Sequence, residues 1–287
     1  MRVLLLGGSG QIARAVQDSA PAHVDLVIKT HSQLDICDSE GVTDELKRTR
    51  ANWVINGAAY TSVDLAEDQE QQAIAINDTA VGIIANAAAE AGCRVLHLST
   101  DFVFDGKSNR AYLPTDRTDP ISVYGRSKLG GEQHVLNQAG GIVLRTSWVY
   151  ASEGRNFVLA MLRLMREKDE IRVVCDQFGA PTWARSVATA IWSAVDADAH
   201  GGIYHWSDLG VATWYDFAVA VQDEARARGL LNRVIPVVPI RTAEYPTRAK
   251  RPAFSVLDTE STRRALRVPA RYWRDNLRSM LDELRAA

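Results

Sequence analysis

Apolar positions along the chain fall into two patterns. Short apolar runs recur at residues 3–6, 24–28, 53–55, 95–98 and 142–144, interrupted only at Asp25 and His97, and between them apolar residues return every three or four positions. The clearest stretch of the second kind covers 70–91, with Ile74, Val81, Ile84 and Ala88 on one face. Apolar strands alternating with amphipathic helices predict a parallel sheet covered on both faces, the α/β class. The first run ends at Gly7-Gly8-Ser9-Gly10, and a helical pattern follows through Ile12, Ala13 and Val16. Strand, glycine turn and helix open a dinucleotide-binding unit. The expected fold is a Rossmann-type doubly wound parallel sheet over 1–150, with a smaller C-terminal substrate-binding lobe over 151–287.

In that second half the alternation loosens. Helices are predicted over 157–168, 184–195, 259–266 and 271–284, with another ending near 228, and a strand over 171–174. An aromatic-rich stretch (Tyr204, Trp206, Trp214, Tyr215, Phe217) and a basic, proline-punctuated segment over 236–252 suit a lobe that closes a ligand cleft. The boundary is blurred, because a sixth strand and a helix are expected to return from this half to the main sheet.

Composition narrows the classes. The chain has 287 residues, 46% hydrophobic and 24% charged, and a formal net charge of -2 with both signs mixed, so no basic field points to nucleic acid. Cys37, Cys93 and Cys175 are odd in number and far apart, which predicts reduced thiols in a cytoplasmic protein. No apolar run approaches the roughly 18 residues of a membrane span, and the chain opens on a strand pattern instead of a leader. No histidine spacing suggests a metal site.

Candidate chemistry centres on Tyr124 and Lys128, one helical turn apart and so on one helix face. An ammonium beside a phenol favours the phenolate and brings the tyrosine towards use as a general acid and base. Ser99-Thr100-Asp101 ends the fourth strand, where a hydroxyl could share the proton that Tyr124 donates; a helix cap is the alternative. Gly7 and Gly10 allow close approach of a pyrophosphate to a helix N-terminus. The second strand ends Lys29-Thr30-His31-Ser32 with no carboxylate to repel a 2′-phosphate, so NADPH is expected, with NADH tolerated. Asp35-Ile36 either flank the adenine or form an ordinary loop. The small residues of Asn56-Gly57-Ala58-Ala59-Tyr60 permit close cofactor approach, and Trp148 either stacks on a ligand or packs in the core. His97, inside an apolar strand, reads as a core histidine.

These residues, in this order, resemble the extended short-chain dehydrogenase/reductases, and more closely the dTDP-4-dehydrorhamnose reductase family. The likeness rests on Gly7 to Gln11, VINGAAYTSVD at 54–64, STDFVF at 99–104, VYGRSKLGGE at 123–132, RTSWVY at 145–150, DQFGAPT at 176–182 and YPTRAKRP at 245–252. The resemblance implies Tyr124 as proton donor, Lys128 as its lysine and Thr100 as its hydroxyl partner. It implies cofactor contacts at Gly10, Gln11, Ile12, Asp35, Ile36, Ala58, Ala59 and Tyr60, and substrate contacts at Asp101, Phe102 and Trp148. The implied reaction is reduction of a nucleotide-linked 4-keto-6-deoxy sugar to dTDP-L-rhamnose, for cell-surface polysaccharide. Arg248, Lys250 and Arg251 are candidates for the substrate phosphates. Two departures stand out: Ala13 replaces the third glycine, and Ala15 replaces a glutamate that some members use for Mg²⁺ at a dimer contact. Mg²⁺ is therefore not expected, and the protein is expected as a monomer or weak homodimer. Competing readings are a non-catalytic dinucleotide-binding subunit, like the regulatory subunit of methionine adenosyltransferase, and a nucleotide-sugar epimerase.

Overall fold

A computed structural model describes residues 1–286. Its centre is a six-stranded parallel sheet. The strands are β1 (Arg2–Leu6), β2 (Asp25–Lys29), β3 (Trp53–Asn56), β4 (Arg94–Thr100), β5 (Ile142–Thr146) and the segment Gly202–His205. In space they run Gly202–His205, β5, β4, β3, β1, β2, so the chain leaves β1 to one side and returns to β3 on the other. That reversal opens a crevice beyond the carboxyl ends of β1 and β3, where ligands bind in open parallel sheets.

The apolar runs follow from burial on both faces. Val3 and Leu5 pack on one side, Leu4 and Leu6 on the other, and none of the four is more than 1% exposed. Each such side chain contributes about 1.5–3 kcal/mol. The first face is covered by α1 (Gln11–Asp18) and the helix Ala184–Asp196, joined where the Trp192 indole donates to the Val16 carbonyl at 3.0 Å. The second is covered by α2 (Ser39–Thr49) and the helix Ala80–Glu90, against which the helix Val123–Leu136 lies.

The run predicted as one helix over 70–91 is continuous but not uniform: a π-helical turn, Ala75–Thr79, interrupts it. Such turns widen the helix locally and often mark functional sites.

The sixth strand departs from expectation. The run Ile171–Val174 does not rejoin the main sheet; it pairs in parallel with Val237–Ile240. Around this pair the helices Phe157–Glu167, Trp214–Ala227 and Trp273–Ala286 bury a separate core that includes Phe217, Val221, Leu277 and Met280. The strand that completes the main sheet, Gly202–His205, lies in the aromatic-rich stretch and pairs with β5. No helix among the described residues is long and apolar enough to cross a membrane.

Candidate active site

A cleft of about 1140 Å³ lies at the carboxyl edge of the sheet and runs from the glycine turn past Tyr124 and Lys128 to Trp148 and Arg251. At its cofactor end Gly7 adopts a φ of +76°, and a Cβ there would stand 2.5 Å from the Ala58 nitrogen. Only glycine suits both the left-handed backbone and that approach. The Gly10 N–H closes the turn on the Gly7 carbonyl at 3.0 Å, and Gly10 caps α1 without a side-chain bond. The first N–H groups of the helix are left for an anion at the positive end of its dipole. Gly7, Gly10, Gln11 and Ile12 all line the cleft.

The loop after β3 is held from behind. Asn77, fully buried in the π-helical turn, accepts from the Tyr60 N–H at 2.8 Å, and its amide nitrogen donates to the Tyr60 carbonyl and to Ser127 Oγ, each at 3.0 Å. One side chain thus ties the loop to the helix carrying Tyr124, a role that no motif in the sequence announced. Ala58 and Ala59 face the cleft; Tyr60 does not line it, and its hydroxyl donates to Gln69 at 2.7 Å.

The helix Val123–Leu136 begins at Ser122, whose hydroxyl accepts from the Gly125 N–H at 3.1 Å. Its glycines are there for close approach: a Cβ at Gly125 would lie 2.2 Å from the Phe102 carbonyl oxygen, and one at Gly131 at 2.2 Å from that of Asn77. This packing directs Tyr124 and Lys128 into the cleft, beside Thr100 and Asp101 from the end of β4. Phe102 meets the Tyr124 ring edge to face at 5.7 Å. Lys128 is 2% exposed and donates to the Leu98 carbonyl at 2.6 Å.

Acidity in the site is set mainly by burial. It brings the Lys128 ammonium down to about 8, while Glu132 one turn on works the other way. It also pushes the Tyr124 phenol up to about 12, partly offset by the Thr100 hydroxyl and reinforced by the nearby Asp101 carboxyl. This corrects the expectation of a phenol made more acidic by its lysine: burial, and not Lys128, decides the direction. Burial likewise raises Asp101 to about 6, against the hydrogen bond that Thr100 donates to it at 3.1 Å.

Beyond Tyr124 the wall is aromatic. Trp148 stacks on Trp214 at 3.5 Å with planes 2° apart, and both face the cleft. Trp148 holds a φ of +48°, unusual for a bulky side chain, and Gly179 gives it room, since a Cβ there would meet the indole at 2.4 Å. Trp214 was not picked out as a ligand contact in the sequence; only its place in the aromatic stretch hinted at one. Of the basic candidates, Arg251 lines the cleft and pairs with Asp64 at 2.6 Å. Arg248 does not line it; its exposed guanidinium pairs with Asp68.

At the end of β2, His31, Asp35 and Ile36 line the cleft. Thr30 does not; its hydroxyl bonds locally to Ser32 and Gln33 at 3.0 and 3.1 Å. Lys29 pairs with Glu45 at 3.2 Å, which leaves His31 as the cation-capable group facing the cleft at this end. Ala15 packs in the core beneath the sheet, and among the described residues no group of three or more His, Cys, Asp or Glu is arranged to hold a metal ion.

The family model described as RmlD substrate binding domain matches residues 1–286. A dTDP-4-dehydrorhamnose reductase of Escherichia coli K12 is 40% identical over 294 residues, covering 99% of this chain and 98% of that protein. Among solved structures, a dTDP-4-dehydrorhamnose reductase from Clostridium acetobutylicum superposes with a TM-score of 0.93 at 33% identity, covering 99% of both chains. One from Bacillus anthracis, in complex with NADP, gives 0.93 at 31% identity over 98% of this chain and 99% of that one. Matched along its length in sequence and in fold, the chain belongs to the RmlD substrate-binding family.

Proposed function

We propose that the protein is a dTDP-4-dehydrorhamnose reductase, which uses NADPH to reduce the 4-keto group of a nucleotide-linked 6-deoxy sugar and releases dTDP-L-rhamnose. The carrying observation is one continuous cleft that joins a glycine turn at a helix N-terminus to a tyrosine, a lysine and a threonine on its floor. The residues fit the cofactor: Gly7 lets the turn lie against the backbone of Gly57 and Ala58, Gly10 stands open at the start of α1 with only the Gly7 carbonyl oxygen near a Cβ, at 3.4 Å, and the free N–H groups of α1 suit a pyrophosphate. Gln11 and Ile12 flank that cradle, Asp35 and Ile36 border the adenine, and Ala58 and Ala59 give the ring room. His31, with no carboxylate at the end of β2, favours a 2′-phosphate.

When bound, the dinucleotide supplies the hydride. Tyr124 supplies the proton to the sugar oxygen, and a phenol pushed up to about 12 stays protonated at neutral pH, as a donor in the reducing direction must. Thr100, from β4, lines the cleft with the phenol and orients it towards the substrate oxygen. Lys128 holds the nicotinamide ribose. On the substrate side Asp101 and Phe102 contact the sugar, Trp148 offers an indole face, and Arg251 meets the diphosphate. Arg248 joins it only by leaving Asp68. We further read the protein as cytoplasmic and as a monomer or weak homodimer.

The test is oxidation of NADPH, followed by its absorbance, with dTDP-4-dehydro-L-rhamnose. Tyr124→Phe is expected to lower kcat by about 10²–10⁴-fold with the substrate KM little changed. Unchanged turnover in that variant overturns the assignment, and absence of turnover by the unaltered protein overturns the substrate.

A further inference from the structure

Three buried polar side chains lie in line beneath the cleft, and only the last belongs to the proposed machinery. Asn56 ends β3, His97 lies within β4, and Lys128 rises from the helix above them. Asn56 and His97 are fully buried and Lys128 is 2% exposed. The Ala58 N–H donates to Asn56 Oδ1 at 3.1 Å. This fixes the amide, because turning it over sets two donors against each other. Asn56 Nδ2 is therefore the atom that faces His97 Nδ1, at 3.0 Å, and it donates there. A neutral imidazole that accepts at Nδ1 carries its proton on Nε2, and Nε2 stands 3.1 Å from Lys128 Nζ. Burial and the neighbouring Lys128 both hold His97 well below its ordinary range, so the ring is neutral.

A free amine fits this surrounding. One N–H donates to the Leu98 carbonyl, the lone pair accepts from His97 Nε2–H, and the other N–H is free for the cleft. An ammonium fits poorly, since it presents N–H to N–H on the His97 side. We propose that His97 is a positioning residue for the reaction: locked by Asn56 with its proton on Nε2, it holds the Lys128 nitrogen against β4 and favours its free-amine form. The inference rests on the reductase reading only for its catalytic consequence.

The other groups around Lys128 do not reproduce the effect. Glu132, one turn along the same helix, favours the ammonium, and is itself bound to Arg145 of β5 at 2.6 Å. Tyr124 and Asp101 share the cleft. Burial already brings Lys128 down to about 8, and the His97 bond acts in the same direction, so amine and ammonium are both accessible near neutral pH. A group so poised exchanges a proton with least cost in either direction.

Long-range ¹H–¹⁵N spectra of the ¹⁵N-histidine-labelled protein, with His97 assigned by its loss in His97→Gln, read the tautomer directly. The proton is expected on Nε2; a proton on Nδ1, or an imidazolium, overturns the inference. Asn56→Asp offers a carboxylate to Nδ1–H and is expected to reverse the tautomer. It is expected to move the alkaline limb of kcat/KM for NADPH-dependent reduction up by about one pH unit, the worth of one hydrogen bond. An unmoved limb with a reversed tautomer overturns the link to Lys128. If the unaltered protein reduces no 4-keto sugar, the reductase reading fails while the tautomer result still stands or falls alone.

Discussion

Lys128 gives a stability prediction with a pH dependence that an ordinary buried side chain would not share. Its ammonium is 2% exposed, and burial lowers it from 10.5 to about 8. That displacement is about 3 kcal/mol of cost for keeping the charged form in the fold. Replacement by methionine, of similar length and apolar, removes the cost. It also leaves two buried groups without their partner, the Leu98 carbonyl at 2.6 Å and the His97 Nε2–H at 3.1 Å, a loss of about 2–6 kcal/mol together. Lys128→Met is thus expected to lie between about 1 kcal/mol more stable and about 3 kcal/mol less stable at about pH 7, while losing reductase turnover. The pH dependence is sharper. The folded pKa lies below the unfolded one, so between about 8 and 10.5 the unfolded chain binds a proton that the folded chain lacks, and the stability of the unaltered protein rises with pH. Relative to the unaltered protein the variant stands highest below about pH 8, and its standing is expected to fall by about 2–3 kcal/mol by about pH 10. Urea unfolding of both proteins across that interval measures it. A difference that does not change with pH, or that grows in the variant's favour, refutes the reasoning.

Two further substitutions probe the frame around the site. Gly7→Ala places a methyl 2.5 Å from a backbone nitrogen at a φ of +76°, so the turn must shift; NADPH affinity by fluorescence titration is expected to fall about tenfold or more, and an unchanged Kd contradicts the cradle. Glu132→Gln leaves the Arg145 guanidinium, itself 2% exposed, without its carboxylate and is expected to cost roughly 3–5 kcal/mol by chemical denaturation. Adding Arg145→Met to it is expected to restore a good part of that stability, and a double variant no better than the single removes the coupling.

Much of the fold was legible because parallel strands buried on both faces must be apolar throughout. Val3 to Leu6 could hardly be anything but a central strand, and the glycines after it fixed the edge at which a ligand lies. Gly202–His205 was not legible as a strand: as the outermost strand of the sheet it needs no aliphatic run, and Gly-Ile-Tyr-His shows neither period. Ile171–Val174 was legible as a strand, but its partner was not, since Val237–Ile240 is distant in sequence and carries Pro239. Among candidate site residues, most of those at strand ends and glycine turns lie together in the cleft because topology brings them there, while the side chains of Thr30 and Tyr60 are taken up by local bonds to Gln33 and Gln69. Arg248 does not, because its pairing with Asp68 depends on how a loop folds back. The acidity of Tyr124 ran opposite to expectation for a related reason: a pair four residues apart signals a shared face, and says nothing of how much water that face retains.

Transfer of label tests the proposed chemistry most directly. NADPH deuterated on the face that donates hydride is incubated with dTDP-4-dehydro-L-rhamnose and the protein, and the sugar product is read by proton NMR. The expected product is dTDP-L-rhamnose carrying deuterium at C4, formed in step with NADP⁺ and lost in the Tyr124→Phe variant. Deuterium left wholly in the cofactor, or product formed without any consumption of NADPH, contradicts hydride transfer in this cleft.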